Sequence, residues 1–443
     1  MAGGGAVRPR GGHSVGAGRM VGGGPMKRLP LEGVRVIDLT MMWAGPFATM
    51  RLAEMGAEVW KVESPSAWDN IRTLLPQENV LDPWNTSYYF NGYNRDKKSV
   101  TLDLAQARGR ELFLGLVAHA DVLIENYRAD VLDKLGLGWD VLRAARPELV
   151  VVSMAAFGKE GPDAGYVGFG PVIELMSGLV SLTGYGDEEP FKTGISYGDP
   201  VAGLAAVAAV TLGLIRRRRT GEGAVVDLAQ RETGASMAGE AFVAASLRGE
   251  APTHHGNRSP RFVPQGCYRA QDSVTELGEG RDEQWLVVSC RDDADWAVLA
   301  GVLGRADLAA LAVDERVARH DELDDLLGGW ARGRGAQEAM EELQAAGVPA
   351  GRVLDTGAVL DDPHLLRRGF WVYLPHRGMH RYRQFGPAWR FVEANPTLRR
   401  HAPYFGEHNQ EVLGGVLGLS AGELAALEAA DVIGSAPLNP RVG

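Results

Sequence analysis

Val34-Arg35-Val36-Ile37-Asp38-Leu39, then Ala44-Gly45-Pro46 leading into residues 47–55, then Gly56 and Glu58-Val59-Trp60-Lys61-Val62: this stretch reads as strand, turn, helix, stop, strand. Short apolar runs bounded by turn residues are buried strands, and glycine ends the helix between them. The alternation continues. Residues 99–102 read as a third strand and 106–120 as a helix. Val122-Leu123-Ile124-Glu125 is a further strand, 141–145 a helix, and Leu149-Val150-Val151-Val152-Ser153 a strand. Apolar strands alternating with helices predict an α/β fold with a Rossmann-like parallel sheet covered on both faces. Ligands of such sheets lie beyond the strands' carboxyl ends, here residues 39–46, 63–65 and 125–128.

Working outward, helices are expected over 172–183, 201–217 and 230–247, with a short strand at 225–228. Residues 251–264 hold three prolines and His254-His255, a linker or binding loop. A second α/β unit follows, with a strand at 285–290 and helices at 292–303 and 335–346. Ser420 reads as the N-cap of a terminal helix. The expected organisation is a glycine-rich disordered tail over 1–27, a large α/β domain over 28–250 completed by 395–443, and a linker with a smaller α/β domain over 251–394. The tail lacks the continuous apolar core of a signal peptide. It reads as disordered, or as an extension ahead of the true start.

The chain has 443 residues, 45% apolar and 23% charged, with a net charge of -10. That balance argues against general binding to nucleic acid or anionic membranes, which want a basic footprint. Two cysteines give neither a disulfide framework nor a zinc motif, and a reducing cytoplasm suits them. The apolar run at 201–215 is short for a membrane span and reads as a core helix. His254, His255 and His408 show no metal-ligand spacing, and no triad can be assembled.

One carboxylate stands in an unusual setting, Tyr197-Gly198-Asp199-Pro200. Asp199 followed by proline is a standard helix start, with aspartate as cap. A helix N-terminus also lowers a carboxylate's pKa and keeps it ionised, as a nucleophile requires. The two readings coexist. Gly198 and Gly203 beside it allow either a bulky ligand or close helix packing. Trp43-Ala44-Gly45-Pro46 lies where a phosphate or adenine would sit, or is a plain turn. Asn94-Arg95-Asp96-Lys97-Lys98-Ser99 is a solvated basic loop or a phosphate contact. Arg216 to Arg219 complement a helix C-terminus.

Taken in order, these segments resemble the class III CoA-transferase family, which includes formyl-CoA transferase, carnitine CoA-transferases and 2-methylacyl-CoA racemase. The resemblance spans residues 30–433. Its anchors include the strand at Val34, Ala44-Gly45-Pro46, Gly56-Ala57-Glu58-Val59, Lys97-Lys98-Ser99-Val100-Thr101-Leu102, Gly198-Asp199 with Gly203, Gly347-Val348-Pro349 and Gly406-Glu407-His408. The resemblance implies an interlocked homodimer and Asp199 as catalytic nucleophile. It implies an acyl-CoA and a carboxylic acid as partners, coenzyme A as substrate, and no prosthetic group. It places coenzyme A along Met42, Trp43, Ala44, Leu102, Ala105 and Lys134. Ser64 and Ala105 stand where basic residues are expected, so Lys97, Lys98 or Arg95 become substitute phosphate contacts. The histidine of racemase members is missing from Gly165-Tyr166-Val167-Gly168-Phe169-Gly170, which disfavours racemisation. The loop from Gly256 to Gly266 lacks the glycine run of formyl-CoA transferase. A CoA-transferase is the first reading. A racemase or a non-catalytic CoA-binding subunit of a hetero-oligomer are the alternatives. Trp43 and Trp68 are expected to line the acyl pocket.

Overall fold

The computed structural model describes residues 28–78, 80–186, 189–274, 281–391 and 398–439. The expected tail at 1–27 lies outside them. Six strands form one sheet: β1 (Arg35–Asp38), β2 (Glu58–Glu63), β3 (Lys97–Thr101), β4 (Val122–Glu125), β5 (Val150–Ser153) and β6 (Ala224–Asp227). Their order is β3-β2-β1-β4-β5-β6 and every pairing is parallel. The direction of winding reverses between β1 and β4. That switch point opens a crevice at the carboxyl ends, beside residues 39–46.

Helices α1 (Ala44–Glu54), α2 (Tyr88–Tyr93), α3 (Ala107–Val117), α4 (Val131–Lys134), α5 (Trp139–Ala145), α6 (Gly170–Met176), α7 (Gly198–Thr220), α8 (Gln230–Met237) and α9 (Gly239–Arg248) surround the sheet. Successive strand residues face opposite sides, so each strand feeds two cores. Ile37, Trp60, Val62 and Leu123 pack with Leu112, Phe113 and Leu116 of α3 and with Val412, Leu413 and Ile433 from the C-terminal segment. Val36, Val59, Val122 and Ile124 pack with Ala48 and Leu52 of α1 and with Ala202, Ala206 and Val210 of α7.

The α1–α7 crossing is unusually close, and one glycine explains it. A Cβ on Gly203 would lie 2.7 Å from the Ala44 carbonyl oxygen and 2.9 Å from the Phe47 ring. Close helix packing is thus the role the structure gives Gly203. By length and composition α7 could cross a membrane. Yet Ala202, Gly203, Ala206, Val210 and Gly213 are buried against α1 and the sheet.

A separate antiparallel sheet joins Gln265–Arg269, Trp285–Ser289 and Ala350–Arg352. Its core is Leu286, Val288, Trp296, Leu299, Leu327 and Leu343. A hairpin, Trp371–His376 with His380–Phe385, completes the described strands of this half apart from two short ones. Three helix readings change. α1 begins three residues earlier than expected, because Pro46 fits its first turn. The helix expected over 172–183 ends at Met176, before Gly178 adopts φ 86°. The helix expected over 230–247 divides at Ala238 into α8 and α9. Ser420 caps the terminal helix Ala421–Ala429, with Glu423 closing a capping box.

Candidate active site

The site is built upward from a buried charge lattice beneath the loop between β1 and α1. Asp38 ends β1 fully buried. Its Oδ1 accepts from the Thr40 N–H at 2.9 Å, and its Oδ2 accepts from Thr49 Oγ1 at 2.7 Å and from Lys97 Nζ at 2.9 Å. Lys61 Nζ donates to the Thr40 carbonyl at 2.8 Å and pairs with Asp69 Oδ2 at 2.9 Å. Asp69 Oδ1 accepts the Met42 N–H at 2.9 Å. Asn126 clamps Met41 from the β4 side, accepting its N–H and donating to its carbonyl, each at 2.8 Å. Met42 is thereby held at φ 64°, which a free non-glycine residue rarely adopts. A Cβ on Gly45 would sit 2.2 Å from Thr40 Cβ, so only glycine lets the loop turn this tightly into α1.

That loop delivers Trp43 and Ala44 to Asp199. Asp199 is not the cap of α7: the helix begins at Gly198, the cap position is Tyr197, and no side chain of Tyr197 bonds there. Asp199 is the second helical residue, with Pro200 after it. Its carboxylate turns onto α6, where a Cβ on Gly170 would lie 2.0 Å from Oδ2. Burial, and then the neighbouring Glu174 carboxylate, push the Asp199 pKa up to about 7, while the Ala44 backbone N–H, turned toward it, pulls the other way. The expectation of a depressed pKa is overturned, because desolvation and a second carboxylate outweigh the helix N-terminus.

An aromatic wall stands beside the carboxylate. Trp43 meets Tyr89 edge-on at 5.9 Å and Tyr93 at 5.4 Å, and Tyr89 and Tyr93 are 5.4 Å apart. Phe47 closes on Tyr93 at 6.1 Å. Burial, the neighbouring Tyr89, and also Asp199 raise the Tyr93 phenol to about 12, so it stays a neutral donor. Trp43 is half-buried here, whereas Trp68 is largely buried.

The lysines land differently from the sequence expectation. Lys97 is fully buried; its ammonium also donates to the Pro46 carbonyl at 3.0 Å and Asn94 Oδ1 at 2.7 Å, leaving no donor for a phosphate. Burial lowers its pKa to about 8, despite Asp38. Lys98 pairs with Glu58 and with Glu411 at 2.8 Å. Arg95 is buried against Glu54 at 2.6 Å and Gln384 at 2.9 Å. All three are committed to carboxylates or amides brought in from other elements. Leu102 is buried and its N–H bonds the Glu63 carbonyl at 2.8 Å. Ala105 is exposed, with the Arg110 guanidinium donating to its carbonyl at 2.8 Å. Lys134 is exposed and pairs with Asp130, which Arg128 also holds. Arg128 and Lys134 are thus exposed cations, and Arg110 is a half-buried one. Sequence reading missed Glu174, Gly170, Tyr89 and Tyr93. The available signal was Glu174 itself, the one charge in the otherwise apolar Pro171-Val172-Ile173-Glu174-Leu175-Met176.

A family model described as CoA-transferase family III matches residues 31–409. Among similar curated proteins is the succinyl-CoA–D-citramalate CoA-transferase of Chloroflexus aurantiacus, 33% identical over 91% of this chain and 98% of its own. Another is the succinyl-CoA:mesaconate CoA-transferase of Haloarcula hispanica, 32% identical over 86% of this chain and 95% of its own. Among solved structures, a CAIB/BAIF family protein from Brucella suis superposes with a TM-score of 0.78 at 32% identity, covering 88% of this chain and all of that one.

Proposed function

Since this chain belongs to CoA-transferase family III and is a CoA-transferase, we propose that Asp199 is its nucleophile and carries the acyl group and then the CoA in turn. One Asp199 oxygen attacks the donor thioester carbonyl, the C–S bond breaks, and CoA leaves as thiolate with a mixed anhydride behind it. The thiolate then attacks the aspartyl carbonyl. The anhydride C–O bond breaks, the donor acid departs as its carboxylate, and an aspartyl-CoA thioester remains. The acceptor carboxylate enters by the reverse sequence and regenerates Asp199. No net proton is consumed, and each difficult exchange is divided into two displacements. The single observation that carries this reading is the placement of one half-buried carboxylate against a Cβ-free surface, Gly170, beside the Ala44 N–H at the switch-point crevice. Backbone N–H groups there, beginning with Ala44, are suited to stabilise the oxyanions.

Coenzyme A follows the residues at the carboxyl ends in this reading, along Met42, Trp43 and Ala44 toward Leu102 and Ala105. Arg110 and Lys134 supply phosphate contacts in place of Lys97 and Lys98. Two chains interlock as a homodimer. Supporting this, exposed apolar side chains concentrate between residues 166 and 247, including Tyr166, Phe169, Leu175, Phe242 and Leu247, and α9 buries none of its residues in one chain. Exposed apolar surface of this kind is what a partner subunit would cover. A reducing cytoplasm suits the two free cysteines, Cys267 and Cys290.

The test is intact-protein mass spectrometry after incubation with a panel of acyl-CoAs and trapping with borohydride or hydroxylamine. An adduct mapping to Asp199 is expected. Turnover by Asp199→Ala, or an adduct at another residue, overturns the assignment.

A further inference from the structure

Helix α6 presents two positions, one turn apart, to the first turn of α7. Gly170 lies under the Asp199 carboxylate, and Glu174 is the next residue on that face. Glu174 is 2% exposed. Its Oε1 accepts the N–H of Tyr197 and, at 3.2 Å, the N–H of Gly198. Those are orphan donors of α7, which has no capping side chain of its own. The second oxygen, Oε2, is buried without a hydrogen bond. Among the described residues the cation paired with it is Lys192, whose Nζ stands 3.9 Å away and donates to the Thr193 carbonyl at 2.5 Å. Glu174 therefore brings an incompletely neutralised charge into the site.

We propose that Glu174 is a positioning residue for the transfer reaction: one oxygen caps α7 and orients Asp199, and the other sets a second negative charge beside the nucleophile. The inference rests on Asp199 being the nucleophile. A neutral glutamine would cap almost as well, since its carbonyl also accepts. What only the carboxylate adds is charge. A carboxylate beside a like charge is a stronger base and so a stronger nucleophile. Among the described residues, the titratable groups and backbone donors that act with Asp199 are few. They are Glu174 from α6, Tyr89 and Tyr93 from α2, and the Ala44 N–H from α1. Arg51 and Arg95 act on Tyr93, and both are paired with Glu54, at 2.7 and 2.6 Å. Lys192 precedes α7, and Arg231 of α8 is tied to Asp163 at 2.8 Å and to the Met176 carbonyl.

The experiment is the pH dependence of kcat/KM for full-length Glu174→Gln, with a donor and acceptor pair that the wild type turns over. The acid limb is expected to fall by about one pH unit, and the high-pH plateau to fall several-fold, with thermal stability nearly unchanged. In Lys192→Met, loss of the cation is expected to move the limb upward, which keeps the test open if the first variant folds poorly. An unmoved limb in the folded Glu174→Gln protein overturns the inference and leaves Glu174 a helix cap only. That result is distinct from failure of the nucleophile itself, which would appear as turnover by Asp199→Asn while wild-type Asp199 goes unlabelled.

Discussion

Asp38, which opens the β1–α1 loop, and Asp199, which faces the loop's far end from α7, are both carboxylates drawn back from bulk water, and they meet opposite fates. Around Asp38 burial is outweighed by Lys97, Lys61, Thr40 and Thr49, and its pKa is held below the usual carboxylate value. Around Asp199 burial is reinforced by Glu174, and only the Ala44 N–H opposes it. Desolvation alone therefore does not make a reactive group. The number of counter-charges and donors decides whether a desolvated carboxylate locks a loop or is left basic, as the role proposed for Asp199 requires.

The sharpest way to break the comparison is Asp199→Asn. Turnover is expected to fall by roughly four orders of magnitude, as for loss of a covalent nucleophile. Stability should move the other way. The folded pKa is raised from about 3.8 to about 7, so the penalty for the buried charge is absent below pH 4 and complete above pH 7. Differential scanning calorimetry should show a gain of about 1–3 kcal/mol at pH 8, partial exposure discounting the full shift, and none at pH 4. A loss of stability at pH 8 would count against the unpaired state of this carboxylate.

Lys97→Met attacks the other member. It strands Asp38 without its closest counter-charge, so chemical denaturation at pH 7 should reveal a loss of about 3–5 kcal/mol. Because the folded pKa of Asp38 is depressed, its stabilisation is present above the unfolded value and fades as pH falls. The difference between variant and wild type should shrink in acid. Protein that remains folded should keep most of its turnover.

Gly170→Ala is a smaller and more local change. Its methyl would meet Asp199 Oδ2 at 2.0 Å and displace the carboxylate. A misplacement of about 1 Å is enough to cost around 100-fold in kcat/KM, with little change in thermal midpoint. Full activity would show that the carboxylate need not rest on α6. The smallest effect is expected for Lys98→Ala. Its two carboxylate partners lie near the surface, so stability should change by less than about 1 kcal/mol. The KM for acyl-CoA should stay the same, whereas a several-fold rise would restore the phosphate contact first expected of it.

Much of this architecture was legible before any coordinates. The strands β1, β2, β4 and β5 are largely apolar runs flanked by turn residues, and local pattern suffices to find them, whereas β3 opens on Lys97-Lys98 and shows only its second half. The lysines were less legible. A basic run reads as solvated, and only the fold brings Asp38, Glu58 and Glu411 to meet Lys97 and Lys98. Asp199 stood out by its neighbours in sequence, yet its pKa is raised first by desolvation and then by Glu174, a residue 25 positions away on another helix. Aspartate before proline signalled a cap. The capping oxygen instead comes from α6, which frees the Asp199 side chain to turn aside.

The bare Cα of Gly203, pressed on the Ala44 carbonyl, works as a gauge block. It fixes the separation of two helices at their backbones rather than through deformable side chains. On the proposed role of Asp199, its carboxylate and the aromatic wall at Trp43, Tyr89 and Tyr93 are therefore separable parts. A library that varies the wall while sparing Gly203 and Ala44 is then expected to retune which acid is accepted without resetting the spacing at the proposed nucleophile.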